Sequence, residues 1–439
     1  MNTMTSIRHY SLILLLILWF DANATPSVFH VDARGLTGMD IGTTLGKAVK
    51  KQFPDIEKKY DAYLASLVEQ KQFNHWLQDR VNIIKPNLKP AYRDEVNGIA
   101  SSWSLSTQDQ LGDGLLSENE FWVIQLILDI GRQTHCSGFG VWGNFSALNS
   151  PIVGRNLDWH TTEGLRSLQA ITVYQYKKRT VVNIGFAGYI GVISGFNSDG
   201  LFVAHLDSPI GKRYPAPPIG DNAIVFDLRN VLETQNRISA AAKALSRQLY
   251  GFSHNILMAD TKNVKVLEQP QGQPAHLRTD RSPLRTEMSW EKVNQIAVVN
   301  CFALTNSPPN CIRTMDIFRW HRFKTLAQFS RNIRAEVKDV MNIMFDTVNP
   351  HQQIFNQNTV QSMLFTPKDN RLYLYTVPNS GIHSTPSVMH EIVDLLPTTQ
   401  KTESMPHPIN GILVIVSLVL IGIIIVGERY RRYKKHLSR

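Results

Sequence analysis

Three cysteines, Cys136, Cys301 and Cys311, occur in 439 residues. Cys301 and Cys311 stand ten apart and can pair in an oxidising compartment. That leaves Cys136 as an odd thiol, either reactive or buried. A thiol of ordinary pKa, about 8.5, is mostly protonated at neutral pH, so nucleophilic work needs a base or a cation within reach. Cys136 sits in the run Thr134-His135-Cys136-Ser137-Gly138-Phe139-Gly140-Val141-Trp142, and a second run, Pro151-Ile152-Val153-Gly154-Arg155-Asn156-Leu157-Asp158-Trp159, follows. Arg155 and Asp158 come 19 and 22 residues after the thiol, so a strand out and a strand back would bring them beside it. A thiol with a cation and a carboxylate at hand can attack a carbonyl. A structural cysteine beside a surface Arg–Asp pair is the bland alternative. His135, His160 and His205 invite a Cys–His reading, but no papain-like cysteine signature accompanies them. The histidines lack zinc spacing, and no glycine-rich phosphate loop is present.

The elements that must position these residues change character at His135. Residues 43–80 carry apolar positions at helical spacing, with Pro54 expected to break the stretch in two. Residues 92–99 and 118–128 continue the helical pattern. Beyond Cys136, runs rich in Val, Ile, Phe and Tyr, punctuated by Gly, Asn and Asp, read as strands at 136–142, 152–158, 168–176, 180–186, 191–195 and 200–206. Helices are expected at 225–232 and 239–250, then strands at 255–258, 264–268 and 296–299. Helices near 314–329 and 335–345 precede a hairpin of 362–366 with 371–377. Blocks of strands with helices between them suggest stacked sheets covered by helices.

Order and motifs together resemble the Ntn hydrolases of the isopenicillin-N acyltransferase, acid ceramidase and choloylglycine hydrolase superfamily. Glu95-Val96-Asn97-Gly98-Ile99-Ala100 resembles that family's propeptide segment. Gly185-Phe186-Ala187-Gly188-Tyr189-Ile190-Gly191-Val192 is close to a ceramidase-type run, and Asn197-Ser198-Asp199-Gly200-Leu201 is similar to the family's turn into its next strand. Ser362-Met363-Leu364-Phe365 with Arg371-Leu372-Tyr373 looks like its late hairpin. The resemblance covers most of the region between the two ends and implies an α+β fold, a four-layer αββα sandwich.

It also implies roles. The chain would cut itself between His135 and Cys136, and the new α-amine would serve as base for the thiol. Asp158 would hold that amine, and Arg155 would orient the thiol and lower its pKa. Asn300, at the end of the apolar run 296–299, would stabilise the oxyanion, with Arg313 near the substrate. Asp207 departs from the bile-salt hydrolases, which have Asn at the matching position. A carboxylate accepts hydrogen bonds and cannot donate one unless protonated. Asp207 would then bind the substrate's polar end or the α-amine. Trp142, Trp159, Phe186 and Tyr189 flank the motifs and could line an acyl pocket, with Trp159 the residue expected to touch substrate.

The ends set the expected location. Residues 1–24 read as a signal peptide, with an apolar core at 11–20 and Ala22-Asn23-Ala24 as its cleavage site. Residues 411–427 carry no charge and reach the lower length of a membrane span. Residues 428–439 hold six Lys or Arg and one acid, so they should stay cytoplasmic. Residues 396–410 form a Pro-containing stalk. It includes Leu396-Pro397-Thr398-Thr399-Gln400, which is like a cell-wall sorting signal without the Gly it requires. The formal charge of +10 is partly this topology signal, and no basic stripe points to nucleic acid. Asn144-Phe145-Ser146 is a glycosylation sequon close to the nucleophile.

The sequence thus leads to a helical segment (25–135), retained as a partner after self-cleavage, and a catalytic domain (136–395). The expected activity is a membrane-anchored amidohydrolase or acyltransferase for linear, non-peptide small-molecule amides, without a cofactor. It would work through a thioester on Cys136 and prefer a hydrophobic acyl group on a small polar amine. A non-catalytic tethered binding module on the same fold, or a Cys–His peptidase, stands as the alternative.

Overall fold

The computed structural model describes residues 26–396, apart from 131–133, 160–162, 209–219, 312–313, 349 and 383. The expected signal peptide, membrane span and basic tail lie outside the described residues, as do all of the stalk but Leu396, and Arg313 and His160. Among the described residues, no helix is long and apolar enough to cross a membrane.

The N-terminal segment opens with a strand, β1 (Ser27–Asp32), which corrects its reading as purely helical. Only Phe29 and Val31 of β1 are buried, so six residues left too little periodic signal to read. Helices follow: α1 (Gly38–Gln52), α2 (Ile56–Leu67), α3 (Gln70–Trp76), α4 (Asn82–Ile84), α5 (Pro90–Ala100) and α6 (Glu118–Gln125). Pro54 lies in the expected break between α1 and α2. Thr37 with Asp40, and Ser117 with Glu120, form reciprocal capping boxes that satisfy the first N–H groups of α1 and α6. Gly38, Gly42 and Gly46 form one stripe of α1 against α5. A Cβ on Gly42 would stand 1.9 Å from the Glu95 carbonyl oxygen, so the two helices touch backbone to backbone.

The remaining chain runs β2 (Ser137–Val141), β3 (Ile152–Asp158), α7 (Glu163–Arg166), β4 (Gln169–Gln175), β5 (Thr180–Phe186), β6 (Ser194–Asn197) and β7 (Phe202–Asp207). Next come α8 (Ile224–Thr234), α9 (Ile238–Leu245), β8 (His254–Ala259), β9 (Val264–Gln269) and β10 (His276–Arg278). The last part is β11 (Gln295–Val298), α10 (Thr314–Leu326), α11 (Val337–Met344), β12 (Thr359–Thr366), β13 (Arg371–Thr376) and β14 (His390–Ile392). One sheet has the order β1-β4-β5-β6-β7-β8-β9-β10, the other β11-β2-β3-β12-β13-β14. The β1–β4 pair is parallel, and every other named pair is antiparallel.

Every residue of β3 and β5 is buried, because each sheet is covered on both faces. Between the sheets, the rings of Phe196 and Phe202 stack on Phe365 at 4.3 and 5.7 Å. Asn255 Nδ2 donates across the gap to the Val299 and Cys301 carbonyls, 2.9 Å each. Glycines on β2 permit this approach: a Cβ on Gly138 would stand 2.6 Å from Leu257 Cδ2. α8 covers the outer face of the first sheet, with Asn197 Nδ2 donating to the Leu232 carbonyl at 2.8 Å. α10 and α11 cover the second, where Phe323 stacks on Phe139 and Asn156 Nδ2 reaches the Met344 carbonyl at 2.7 Å. The layers run helix, sheet, sheet, helix, as expected. Cys301 and Cys311 form a disulfide.

Several boundaries moved, two of them for local reasons that side chains make plain. β6 starts at Ser194 rather than Gly191, because Asn183 Nδ2 captures the Tyr189 and Gly191 carbonyls at 3.1 Å each and holds that stretch as a loop. α9 stops at Leu245 rather than Tyr250, where Gln269 Nε2 takes the Leu245 and Gln248 carbonyls at 3.2 Å.

Candidate active site

Cys136 immediately precedes β2, beside β3, and is fully buried. β2 and β3 pair in a register that sets Gly138 opposite Arg155, so the short return places the guanidinium over the thiol. Arg155 Nη2 lies 3.2 Å from Cys136 Sγ and donates to the His205 carbonyl at 2.9 Å. Arg155 Nε and Nη1 are buried without a hydrogen-bond partner among the described residues. Sγ also lies 3.5 Å from Thr134 Oγ1 and 3.9 Å from the Asp158 carbonyl. No imidazole is among its partners in the described residues.

Side chains alternate across a strand, so Arg155 points between the sheets while Asp158 points toward α10. The Asp158 carboxylate accepts from Thr359 Oγ1 at 2.7 Å and Asn356 Nδ2 at 2.8 Å, and pairs with Arg319 Nη2 at 3.2 Å. Arg319 Nη1 also donates to the Cys136 carbonyl at 3.3 Å. Asp158 therefore reaches Cys136 through its own backbone and through Arg319.

His135 and Cys136 are one uncut stretch here. The Thr134 N–H donates to the Asp207 carboxylate, and Asn300 Nδ2 donates to the Thr134 carbonyl at 3.1 Å. The same amide nitrogen holds the Asp207 carbonyl at 2.7 Å. The His135 N–H donates to the Asp158 carbonyl at 3.3 Å. Asn300 thus holds the carbonyl one residue upstream of that of His135. Trp159 is buried, with Nε1 donating to Tyr63 Oη of α2 at 2.7 Å and its ring edge-on to Phe186.

Burial dominates the electrostatics. It pushes the Cys136 thiol up, against the opposing pull of Arg155. The expected lowering by Arg155 is present as a contribution and is outweighed in this closed, uncut site. Burial likewise lowers Arg155 and raises Asp158, the latter against Arg319, Thr359 and Asn356. His205 Nε2 and His254 Nδ1 are 2.8 Å apart, and His205 Nε2 is 3.7 Å from Asp207 Oδ1. Burial pushes His254 down to about 3 and His205 well below its usual range, so both rings are neutral. The three could offer ligands to a metal. However, the inward nitrogens already bond each other, and among the described residues the outward ones lack the partner that ligating histidines usually have.

Cys136, Arg155, Asp158, Asp207 and Asn300 therefore converge, Trp159 adjoins them, and Arg313 lies outside the described residues. Sequence reasoning missed Thr134, Arg319, Asn356 and Thr359. Thr359 had a signal: carrying the late hairpin three residues upstream pairs it with Asp158. Arg319 had none, because its partners lie far away in the chain.

No family model matches the chain, and no curated protein matches it. It is similar to the solved structure of a Caenorhabditis elegans N-acylethanolamine-hydrolyzing acid amidase ortholog, with 19% identity over 53% of this chain and 93% of that one, TM-score 0.40. It is similar to a mutant of conjugated bile acid hydrolase from Clostridium perfringens, with 12% identity over 58% and 92%, TM-score 0.34. It is also similar to penicillin V acylase from Agrobacterium tumefaciens, with 13% identity over 55% and 83%, TM-score 0.32.

Proposed function

We propose that the protein is an amide hydrolase of the N-terminal-nucleophile kind, matured by cutting its own chain before Cys136. The observation that carries this reading is the buried Cys136 Sγ under Arg155 Nη2 at 3.2 Å, with Asp158 and Asn300 gathered around residues 134–136. In maturation, Sγ attacks the His135 carbonyl carbon, and the Cys136 nitrogen leaves with the thiol proton. Water then hydrolyses the resulting thioester and releases the His135 carboxylate. In turnover, the free α-amine takes the thiol proton, and Sγ attacks the substrate's acyl carbon. The substrate amine leaves with that proton, and water or an acceptor amine cleaves the thioester. Once the Thr134 carbonyl has gone, an Asn300 N–H is available for the oxyanion, and such a donor typically stabilises the transition state by about 3 kcal/mol. The substrate is a linear amide of a small amine, with its acyl group against Trp159 and Phe186. The catalytic part is exported and tethered by residues 411–427.

The test is the mass and N-terminal sequence of the purified protein. Two chains, one beginning at Cys136, are expected on a gel without reductant, since residues 25–135 contain no cysteine. Cys136→Ala should give one chain and no turnover. A single full-length band in an active preparation would sink the reading.

A further inference from the structure

We propose that Thr134 is a positioning residue for self-cleavage, its hydroxyl turning the Cys136 thiol back over the peptide bond that the thiol cuts. The inference rests on the self-cleavage reading above and deepens it. Ser137 pairs with Asn156, and Thr134 forms an antiparallel bridge with Trp159. Thr134 lies three residues before Ser137, and Trp159 three after Asn156, so both pairings keep one register. The chain from Thr134 into β2 therefore runs extended alongside β3. Residues two apart in such a stretch carry their side chains on one face, with Cα atoms roughly 6.6 Å apart. Thr134 and Cys136 are such a pair, and the thiol donates to Thr134 Oγ1 across only 3.5 Å. To reach that oxygen, Sγ leans upstream, across the His135–Cys136 bond.

The hydroxyl is a fixed point. The Thr134 N–H donates to the Asp207 carboxylate, and the Thr134 carbonyl accepts from Asn300 Nδ2 at 3.1 Å, so the backbone is held at both groups. A branched Cβ restricts χ1, so a held backbone also places Oγ1. Thr134 and Cys136 are 1% and 0% exposed, so bulk water cannot stand in for a missing hydroxyl. The sulfur also accepts from Arg155 Nη2 at 3.2 Å. Accepting from one group and donating to another, the thiol is held in one orientation. Among the described residues its other acceptor is the Asp158 carbonyl on β3, at 3.9 Å, which already takes the His135 N–H. Without the Thr134 hydroxyl, the thiol proton turns to that carbonyl and the sulfur swings off the bond. A shift of about 1 Å in a reacting group can slow a reaction roughly a hundredfold.

The experiment pulse-labels the full-length protein in the cells that make it and follows its first-order conversion to two chains on denaturing gels. Thr134→Val keeps the shape without the hydroxyl and should slow cutting about tenfold or more. Thr134→Ser keeps the hydroxyl and should cut within about threefold of the wild type. Unfolding midpoints of both substitutions, each placed on Cys136→Ala, report folding separately. Should Thr134→Val not fold, Thr134→Ala, which also removes the hydroxyl and adds no bulk, takes its place in the same comparison. Cutting at the wild-type rate without the hydroxyl would overturn the role of Thr134 while leaving self-cleavage intact. So would Thr134→Ser cutting as slowly as the hydroxyl-free variant, since the residue would then be only structural. A wild-type chain that stays whole and is active would overturn self-cleavage and this inference together.

Discussion

Arg319 joins two parts of the candidate site. One nitrogen pairs with Asp158 and another holds the carbonyl of Cys136 itself, at 3.2 and 3.3 Å, while Nε is fixed on the Gln353 carbonyl at 3.0 Å. Its planar fork makes these contacts simultaneously, which an ammonium cannot do. Arg319→Lys should therefore slow maturation and lower kcat of the cut fraction roughly tenfold, with KM little changed, as the nucleophile loses its alignment. A fall in melting temperature with unaltered kcat would make Arg319 only structural. At this scale the sequence was readable where chemistry is local. Arg155 and Asp158 lie on one strand of a pair whose other strand Cys136 immediately precedes, and Asn300 closes an apolar run. Arg319 and Thr134 were silent, since an arginine inside a helix and a threonine before a strand have many ordinary reasons to exist.

The helices α1 and α5 turn the Glu95-to-Ala100 motif into mechanics. Gly98 lets the two backbones meet, and a Cβ there would stand 2.4 Å from the Met39 carbonyl oxygen. Glu95 reaches Arg229 of α8 at 2.8 Å, and both are buried. Arg229 also holds Tyr176 Oη and Glu233, at 2.8 and 3.0 Å. The motif thus fastens the N-terminal segment to the layer outside the eight-stranded sheet. Gly42→Ala, placed on Cys136→Ala to keep the chain whole, should cost about 1–3 kcal/mol in denaturant unfolding, because backbone cannot yield to the new methyl. An unchanged midpoint would show that the helices can part cheaply. Long strands and helices could be read because burial imposes period, as for β3 and β5, whose bounds came out as expected. β1, β10 and β14 could not, being short and edge-placed.

Across the molecule, buried titratable groups oppose one another in pH. Burial raises Asp129 to about 8, Glu120 to about 7 and Asp227 to about 6. Unfolded carboxyls titrate near pH 4, so between there and each folded value the folded state holds a proton that the unfolded chain has released. Stability from these groups falls as pH rises through that window. The buried His205 and His254 act oppositely: the unfolded chain takes up protons below about 6.5 that the fold refuses, so their contribution is lost as pH falls. Above pH 6.5 the histidine contribution fades while Asp129 and Glu120 still act, so the unfolding midpoint of Cys136→Ala should decline toward pH 8. Asp129 Oδ2 has no hydrogen-bond partner among the described residues, while Oδ1 accepts the Ile224 N–H at 2.8 Å. Asp129→Asn should keep that bond and flatten the decline, and a slope left unaltered would assign it to other groups.

The parallel pairing of β1 with β4, from Ser27 opposite Ala170 to Asp32 opposite Gln175, means that the proposed cut does not free a detachable leader. It turns one chain into an interleaved heterodimer that shares a sheet. Before the cut, refolding is unimolecular and its rate ignores concentration. After it, the fragments must find each other, so recovery from denaturant becomes second order and slows on dilution. Maturation would then exchange reversible folding for kinetic persistence: once unfolded at low concentration, the mature enzyme is lost, whereas its uncut precursor returns.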